Sequence, residues 1–284
     1  MAKAIYGSEL SVKMKQQMAD QIRQWANNHR LPKLAVVLIG NDAGSISYVK
    51  GKEKACATIG MESETFHLDR DVTQENVVAL IDQLNGDDTV DGILVQLPLP
   101  SHLDESTILA SIDPTKDVDG LTPVSLGKFF ANQPGFRPCT PLGIMALLEE
   151  ANVSIEGKHA VVVGRSQLVG NPIAQLLLRA NATVTMTHSK TVDLPTITQQ
   201  ADILIVAIGK PKFITDAYVK DGAVVIDVGV NRMDGKLCGD VDFEMVEPKA
   251  SVITPVPKGV GPMTITMLLC NTLSAYRAHE GIQQ

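Results

Sequence analysis

This chain lacks the sequence signals of several protein classes. None of its four cysteines forms a C-x-x-C pair, and none of its six histidines has the H-E-x-x-H spacing of a zinc hydrolase. No apolar run is long enough to span a bilayer, and the N-terminus lacks the apolar core of a signal peptide. We therefore expect a cytoplasmic protein with free thiols, without a metal ion and without a membrane partner.

Positive charge is also scarce. The sequence has 25 lysines and arginines against 32 aspartates and glutamates, a net charge of −7, and it has no basic run. These values argue against a nucleic-acid partner. The apolar fraction of 44% and the charged fraction of 20% are typical of a globular protein, and 284 residues leave room for two domains.

Apolar runs alternate with helical patterns along the chain. This order predicts βαβ units and parallel sheets, and therefore an α/β fold. In the first half the predicted strands are 34–39, 63–67 and 92–96, and the predicted helices are 8–28, 45–59 and 74–84. In the second half the predicted strands are 160–163, 183–187, 203–207, 224–227 and 252–254, and the predicted helices are 142–150, 172–179 and 263–279.

The segment V-V-V-G-R-S-Q-L-V-G-N-P, residues 161–172, predicts a strand, a glycine turn and a helix. That layout places backbone N–H groups and the positive end of a helix against a pyrophosphate. The segment departs from G-x-G-x-x-G because Ser166 stands at the second glycine and the third glycine falls one place late, at Gly170. At this level a plain glycine turn and a dinucleotide site both remain open.

The next strand ends in His188-Ser189-Lys190, about twenty residues after the glycine turn. An NAD-binding fold normally carries an aspartate or glutamate there for the ribose hydroxyls. This chain has a hydroxyl and a cation instead, and Arg165 lies in the glycine turn itself. Such side chains favour a 2′-phosphate, and therefore NADP over NAD. The alternative is that Arg165 and Lys190 are ordinary solvated cations.

The loop N-Q-P-G-F-R at residues 132–137 marks a domain boundary, because proline and glycine are poor formers of helices and strands. We expect a first α/β domain at residues 1–138 and a second, Rossmann-type NADP-binding domain at residues 139–261. The last helix, within residues 262–284, is expected to pack back on the first domain. The two crossings would leave a cleft between the domains, where a substrate and a nicotinamide commonly meet.

Tyr48 and Lys52 are four residues apart on a predicted helix, so their side chains share one face. A lysine whose pKa is lowered by burial and neighbours can act as a general acid or base. The alternative is an ordinary solvated helix face. Short-chain dehydrogenases also carry Y-x-x-x-K, but there the glycine turn precedes the pair. The reversed order here argues against that class.

Three further places in the sequence are candidates for ligand contacts: Gln96, Asp119 and the Pro/Gly-rich segment 254–264. Gln96 lies at the carboxyl end of the predicted strand 92–96, where parallel sheets place ligand-binding residues, although it also fits a rigid strand exit. Asp119 precedes Gly120 and fits either a turn or a carboxylate that pairs with adjacent N–H donors on a ring. The segment 254–264, T-P-V-P-K-G-V-G-P-M-T, fits either a loop shaped for a flat ligand or a linker.

The ordered set of segments resembles the bifunctional methylenetetrahydrofolate dehydrogenase/cyclohydrolase family over nearly the whole chain. The resemblance rests on S-x-x-Y-V-x-x-K-x-K-A-C at 45–56, DGILVQLPLP, PTKDVDG, RPCTPLGI, the glycine turn, HSKT, AIGKP, VVIDVGVN and the loop 254–264. It implies NADP-dependent oxidation of 5,10-methylenetetrahydrofolate to the methenyl form, and hydrolysis of that product to 10-formyltetrahydrofolate. It also implies a homodimer that uses no metal.

The resemblance also implies roles for individual residues. Lys52 is the catalytic lysine, Tyr48 stacks on the substrate, Gln96 hydrogen-bonds Lys52, and Asp119 binds the pterin edge. Pro257 and Gly259 are further substrate contacts. The implied cofactor-binding residues are Thr140, Gly164, Arg165, Ser166, His188, Ser189, Ile208, Gly209 and Val230.

One position departs from the family pattern, which usually reads P-V-P-G-G-V-G-P-M-T. Lys258 takes the place of the first glycine of that pair. Either the backbone there does not need the freedom of glycine, or the loop is shifted. Lys258 fits a solvent-facing side chain or a contact with the anionic glutamate tail of a folate. Two other functions stay open, a hydrolase on a borrowed nucleotide fold and a non-enzymatic NADP-binding protein.

Overall fold

The computed structural model describes residues 2–282, which divide into two compact units. Residues 2–12 and Thr140–Thr264 form one of them, which we call the six-stranded unit. Lys13–Cys139 and residues 265–282 form the other, which we call the three-stranded unit. Within the described residues no helix is long and apolar enough to cross a membrane.

Strands and helices alternate as predicted. The strands are β1 Lys3–Ala4, β2 Lys33–Ile39, β3 Glu62–Leu68, β4 Gly92–Val95, β5 His159–Val163, β6 Thr183–Thr187, β7 Ile203–Val206, β8 Val224–Asp227, β9 Asn231–Met233, β10 Lys236–Cys238 and β11 Val252–Ile253. The helices are α1 Gly7–Trp25, α2 Ala43–Ile59, α3 Gln74–Asn85, α4 Glu105–Ala110, α5 Pro123–Phe130, α6 Cys139–Glu150, α7 Gly170–Arg179, α8 Leu194–Thr198, α9 Phe243–Val246 and α10 Val260–His279.

The three-stranded unit is built on the parallel sheet β3-β2-β4. Its central strand β2 is buried from Leu34 to Ile39, with Val36 and Val37 inaccessible to solvent. The chain leaves β2 for β3 on one side and later returns to place β4 on the other. The strand order therefore reverses between β2 and β4, and ligands commonly bind outside the carboxyl ends of strands at such a point.

The six-stranded unit has the order β1-β11-β8-β7-β5-β6, and every neighbouring pair is parallel. The valine run of β5 is buried, and β5 has a parallel strand on either side, β6 and β7. A continuous apolar run is typical of such an inner strand. The order reverses at β5, between β6 and β7. The predicted α/β class, with two parallel-sheet domains, is confirmed.

The N-terminal residues correct the predicted domain boundary. Residues 2–12 were assigned to the first domain, but β1 pairs in parallel with β11 of the six-stranded sheet. The Ile5 N–H donates to the Ile253 carbonyl at 2.9 Å and extends this pairing. A two-residue edge strand has no hydrophobic period, so the sequence pattern could not indicate it. Met1 and residues 283–284 lie outside the described residues.

Predicted elements that carry a long periodic pattern are present with shifted ends. The last helix begins at Val260, three residues before its predicted start, and α6 begins at Cys139. The short helices α4 and α5 were not predicted, although Asp104 and Thr122 cap them as N-cap residues usually do. The hairpin of β9 and β10 was also missed.

Candidate active site

Lys52 is held on α2 in the three-stranded unit. Asp42 caps the start of this helix with its Oδ2, which accepts the Ser45 N–H at 2.8 Å, and Gly60 caps its end in the left-handed conformation, with φ +80°. Lys52 is only 8% exposed. Its Nζ donates to Oε1 of Gln96 at 2.8 Å, the hydrogen bond that the family resemblance implies.

Gln96 lies directly after β4, at the point where the small sheet reverses its order. Its Nε2 donates to the Leu97 carbonyl at 2.6 Å, so the side-chain oxygen is the atom turned toward Lys52. The backbone N–H of Gln96 donates to the Val37 carbonyl at 2.9 Å and continues the β2 pairing. The amide is therefore fixed at both ends, and Lys52 has an uncharged acceptor.

Asp119 and Cys139 complete the surroundings of Lys52. Burial lowers the pKa of the Lys52 ammonium, and the Asp119 carboxylate partly opposes that shift. Burial raises the pKa of Asp119, while Lys52 lowers it and Asp117 raises it further. Burial and Asp119 raise the pKa of the Cys139 thiol well above its usual value, so the thiol stays neutral. The site thus holds one lysine and one carboxyl group that both resist carrying charge.

The loop that carries Asp119 is built around the carboxylate of Asp117. Asp117 accepts the backbone N–H groups of Gly120, Leu121 and Thr122 at 2.9–3.2 Å and is buried. Asn271 of α10 donates to the Val118 carbonyl at 2.8 Å and to the Arg137 carbonyl at 3.1 Å. These bonds hold the backbone on both sides of Asp119, which itself keeps partial exposure.

Tyr48 lies one turn before Lys52 on α2 and is 47% exposed. A phenol that is half exposed beside a buried lysine offers its ring face to a ligand. Near the same edge of the sheet, a cavity of about 500 Å³ opens beside the ends of β2 and β4. Its lining includes Gly40, Arg70 and Leu99. A second cavity, of about 360 Å³, lies at the amino ends of β7 and β8, away from the glycine turn.

The glycine turn of the six-stranded unit fits a dinucleotide. Gly164 follows β5 with φ +121°, and a Cβ there would lie 2.2 Å from the Ala207 carbonyl oxygen. A Cβ on Gly170 would lie 2.4 Å from the Gly164 carbonyl oxygen. Ser166 Oγ accepts the N–H groups of Val169 and Gly170 at 3.2 and 3.3 Å, which closes the turn that leads into α7. Two close backbone approaches at a helix N-terminus are what a pyrophosphate turn requires.

The exits of β5 and β6 lie side by side. Val163 pairs with Thr187, and the Gly164 N–H donates to the Thr187 carbonyl at 3.0 Å. Ser189 and Lys190 are exposed, and so is Arg165. His188 Nδ1 accepts the Lys190 N–H at 3.1 Å, which shapes the turn. The side chains predicted to bind a 2′-phosphate, those of Arg165, Ser189 and Lys190, therefore lie at neighbouring strand ends.

The other predicted cofactor residues are spread along the same sheet edge. Ile208 and Gly209 follow β7, and Val230, which is 50% exposed, follows β8. The N–H groups of Ile208 and Gly209 are already donated to Asp240. These two residues therefore have carbonyls and side chains, rather than N–H groups, to offer a ligand. Thr140 Oγ1 lies 2.9 Å from Thr264 Oγ1.

Pro257 and Gly259 lie in the six-stranded unit, whereas Lys52, Gln96 and Asp119 lie in the other. Lys258 between them has φ +84°, in the left-handed region that favours glycine. Of the two explanations offered for this lysine, the first is therefore wrong, because the backbone does take up the conformation of a glycine. The side chain of Lys258 is exposed.

Sequence analysis did not identify several residues that shape these sites. Cys139 appeared only as one of four scattered thiols, yet it lies against Asp119. Asn271 carried no signal because its partners are more than 130 residues away. Asp227 and Asp240 did carry a sequence signal, because Asp227 ends the apolar run 224–227 and Asp240 directly follows a glycine.

Taken together, these features define a class of protein. The six-stranded unit has a parallel sheet whose strand order reverses beside a glycine turn, as in nucleotide-binding folds. The three-stranded unit has a buried lysine with a depressed pKa. This is the construction of a dinucleotide-dependent α/β enzyme that uses a lysine as acid or base.

The chain belongs to the tetrahydrofolate dehydrogenase/cyclohydrolase family. Residues 5–119 match the model of the family's catalytic domain, and residues 138–280 match its NAD(P)-binding domain. The bifunctional protein FolD of Bacillus anthracis is 55% identical over 280 residues, which cover 98% of both chains. The predicted family is confirmed.

Solved structures agree with this assignment. The bifunctional FolD dehydrogenase/cyclohydrolase of Campylobacter jejuni has a TM-score of 0.96 and 47% identity, covering 98% of this chain and 99% of that one. The Trypanosoma brucei dehydrogenase-cyclohydrolase, solved with NADP and an inhibitor, has a TM-score of 0.93 and 36% identity over 98% of each chain.

Proposed function

We propose that this protein oxidises 5,10-methylenetetrahydrofolate with NADP and hydrolyses the resulting methenyl cation to 10-formyltetrahydrofolate. The observation that carries the proposal is the buried Lys52–Gln96 hydrogen bond beside Asp119, in a chain of this family. NADP, when bound, supplies the hydride acceptor for the methylene carbon. Loss of hydride leaves an amidinium that water attacks, and one proton is released.

Lys52 is the group proposed to handle that proton. Burial lowers the pKa of Lys52 and so favours the neutral amine, and a cationic substrate beside it favours loss of its proton further. A neutral amine can take a proton from the attacking water. Gln96 supports this role because its oxygen orients Nζ without adding a charge that would raise the lysine pKa.

Tyr48 and Asp119 are proposed to bind the pterin part of the substrate. A carboxylate pairs well with two adjacent N–H donors, and Asp119 keeps partial exposure while its loop is fixed by Asp117 and Asn271. Tyr48 offers an exposed ring on the Lys52 side of α2. Pro257 and Gly259 remain predicted substrate contacts, and the interdomain cleft stays a prediction.

The preference for NADP over NAD is proposed from the exits of β5 and β6. Arg165, Ser189 and Lys190 are exposed at neighbouring strand ends, and the sequence there has no carboxylate that would repel a 2′-phosphate. A charge-assisted hydrogen bond contributes about 1.5–3 kcal/mol, or about ten- to a hundredfold in affinity. NADP is also the cofactor bound in the Trypanosoma brucei relative.

Two further properties are proposed from the family and the cysteines. All four cysteines are free thiols, and two of them are buried, which suits a reducing cytoplasm. The homodimer is proposed from the family resemblance.

The first test is absorbance of the purified protein with 5,10-methylenetetrahydrofolate and either NADP or NAD, with a separate assay of methenyl loss. We expect NADPH absorbance to increase with a strong preference for NADP over NAD, and methenyl loss to be accelerated. Methenyl loss without formation of reduced cofactor would instead indicate a hydrolase. No change in either assay would indicate a binding protein.

The role of Lys52 is tested by Lys52→Met. Removing a general acid or base should lower cyclohydrolase turnover by about 10²- to 10⁴-fold. The matched control is Lys54→Met, which makes the same change at an exposed position of the same helix. Full cyclohydrolase turnover in Lys52→Met would overturn the assignment.

A further inference from the structure

Asp240 is a fully buried carboxylate near the carboxyl edge of the six-stranded sheet, two residues after β10. Its Oδ2 accepts the N–H groups of Ile208 and Gly209 at 2.7 and 2.9 Å. Its Oδ1 accepts the Lys210 N–H at 2.8 Å and Nδ2 of Asn231 at 2.8 Å. Four donors saturate the two oxygens, so this carboxylate acts on the protein itself and not on a ligand.

Asp227, the last residue of β8, holds the segment that carries Asp240. Its carboxylate accepts the N–H groups of Gly229 and Asp240 at 3.0 Å each and that of Val241 at 2.9 Å. Asp227 is 3% exposed. The two carboxylates therefore form a chain of hydrogen bonds from the exit of β8 to the exit of β7.

Two glycines leave the space that these carboxylates occupy. A Cβ on Gly229 would lie 2.2 Å from the Asp240 carboxyl group, and a Cβ on Gly239 would lie 1.7 Å from Oδ2 of Asp227. Both carboxylates thus sit where any other residue would place a side chain. This gives a physical reason for glycine in the D-V-G-V-N and C-G-D-V segments.

Three successive backbone N–H groups, from Ile208 to Lys210, converge on Asp240. Converging N–H groups of this kind normally form an anion-binding concavity. The protein fills this one with its own carboxylate, so the exit of β7 is fixed in one conformation before any ligand arrives. Asn231 extends the same restraint to the exit of β8, next to Val230.

We propose that Asp240 is a positioning residue for the cofactor. Through its four hydrogen bonds it fixes the two strand exits that carry Ile208, Gly209 and Val230, the predicted cofactor contacts after β7 and β8. The proposal rests on the proposed NADP-dependent dehydrogenase function. Loss of Asp240 should therefore impair the dehydrogenase reaction and spare the cyclohydrolase reaction, because hydrolysis of the methenyl substrate does not need NADP.

The test is Asp240→Asn, which keeps the shape of the side chain but turns an amide N–H toward backbone N–H groups. Losing two of the charge-assisted bonds should raise the KM for NADP about 10- to 100-fold. Cyclohydrolase kcat/KM, measured with methenyltetrahydrofolate supplied directly, should stay within about twofold of wild type. The matched control is Asp234→Asn, the same change in the exposed turn of the β9–β10 hairpin.

Asn231→Ala is the second variant and decides the matter if Asp240→Asn does not fold. It removes one of the four donors without creating a donor–donor clash, and it should raise the KM for NADP about threefold to tenfold. A KM for NADP equal to the Asp234→Asn control overturns the proposal, and so does a parallel loss of both activities. If wild-type protein itself fails to reduce NADP, the proposed function fails instead.

Discussion

Replacing Lys258 with glycine should stabilise the protein. Lys258 has φ +84°, and its carbonyl oxygen accepts the Ser8 N–H at 3.1 Å. The next residue, Gly259, is packed so closely that a Cβ there would lie 2.4 Å from the Pro255 carbonyl oxygen. The chain on both sides is held, so the backbone at Lys258 cannot relax to a conformation that suits a lysine.

The gain follows from two opposing costs. A left-handed backbone costs an ordinary residue about 1–2 kcal/mol. Glycine offsets about 0.4–1 kcal/mol of this gain, because it raises the conformational entropy of the unfolded chain and so lowers the free energy of unfolding. The free energy of unfolding should therefore rise by about 0.5–1 kcal/mol, or about 1–3 °C in Tm for a protein of this size. Urea denaturation followed by circular dichroism measures this difference.

Lys258→Ala is the control, since it removes the ammonium group but keeps the side-chain carbon that strains the backbone. Its free energy of unfolding should stay within about 0.5 kcal/mol of wild type. If alanine stabilises as much as glycine, the charge and not the backbone is responsible. If glycine gives no gain, the reasoning from φ is wrong.

The same variant tests the second hypothesis about Lys258. If its ammonium group contacts a glutamate tail, Lys258→Gly should leave the KM for a monoglutamate folate unchanged and raise the KM for a polyglutamate. Lys258→Ala should then give the same split, because both variants lack the charge. Equal effects on the two substrates rule out the tail contact.

Two buried ionisable groups lead to further predictions. Burial raises the pKa of Asp227 to about 7 from 3.8, so the folded protein binds this proton more tightly than the unfolded chain. The free energy of unfolding should therefore fall by about 2 kcal/mol as pH rises from 5 to 7. Asp227→Asn should remove this slope in urea denaturation, and an unchanged slope would assign it to other groups. Lys116→Met should destabilise the protein by about 2–4 kcal/mol in the same assay at pH 7, because the buried Nζ donates to three carbonyls at the end of α3, those of Leu84, Asn85 and Asp87. A loss below about 0.5 kcal/mol, the size of an ordinary surface change, would contradict that account.

The sequence predicted the elements whose burial pattern is continuous. β2 and β5 are runs of apolar residues, and their inward and outward faces are both buried, so length and flanking turns identify them as parallel strands. The amphipathic pattern of α7 and the glycines before it predicted the strand–turn–helix unit. Position in that unit then predicted that Ser189 and Arg165 lie at neighbouring strand ends.

The remaining features depend on contacts that no local pattern contains. Cys139 lies against Asp119, 20 residues earlier in the chain, where the loop after α4 folds around Asp117. The Lys52–Gln96 bond joins residues 44 positions apart, and it was predicted from the family resemblance and not from spacing. β1 is too short for a period and is defined by its partner β11.

The strand exits at the carboxyl edge of the six-stranded sheet differ in the backbone N–H groups they leave free. Arg165 and Lys190 are exposed at the exits of β5 and β6, whereas Asp227 and Asp240 are buried near the exits of β8 and β7. Because Asp240 also occupies the N–H groups after β7, a phosphate has no equivalent site there. One buried carboxylate thereby fixes the loop after β7 and also removes its N–H groups from anion binding.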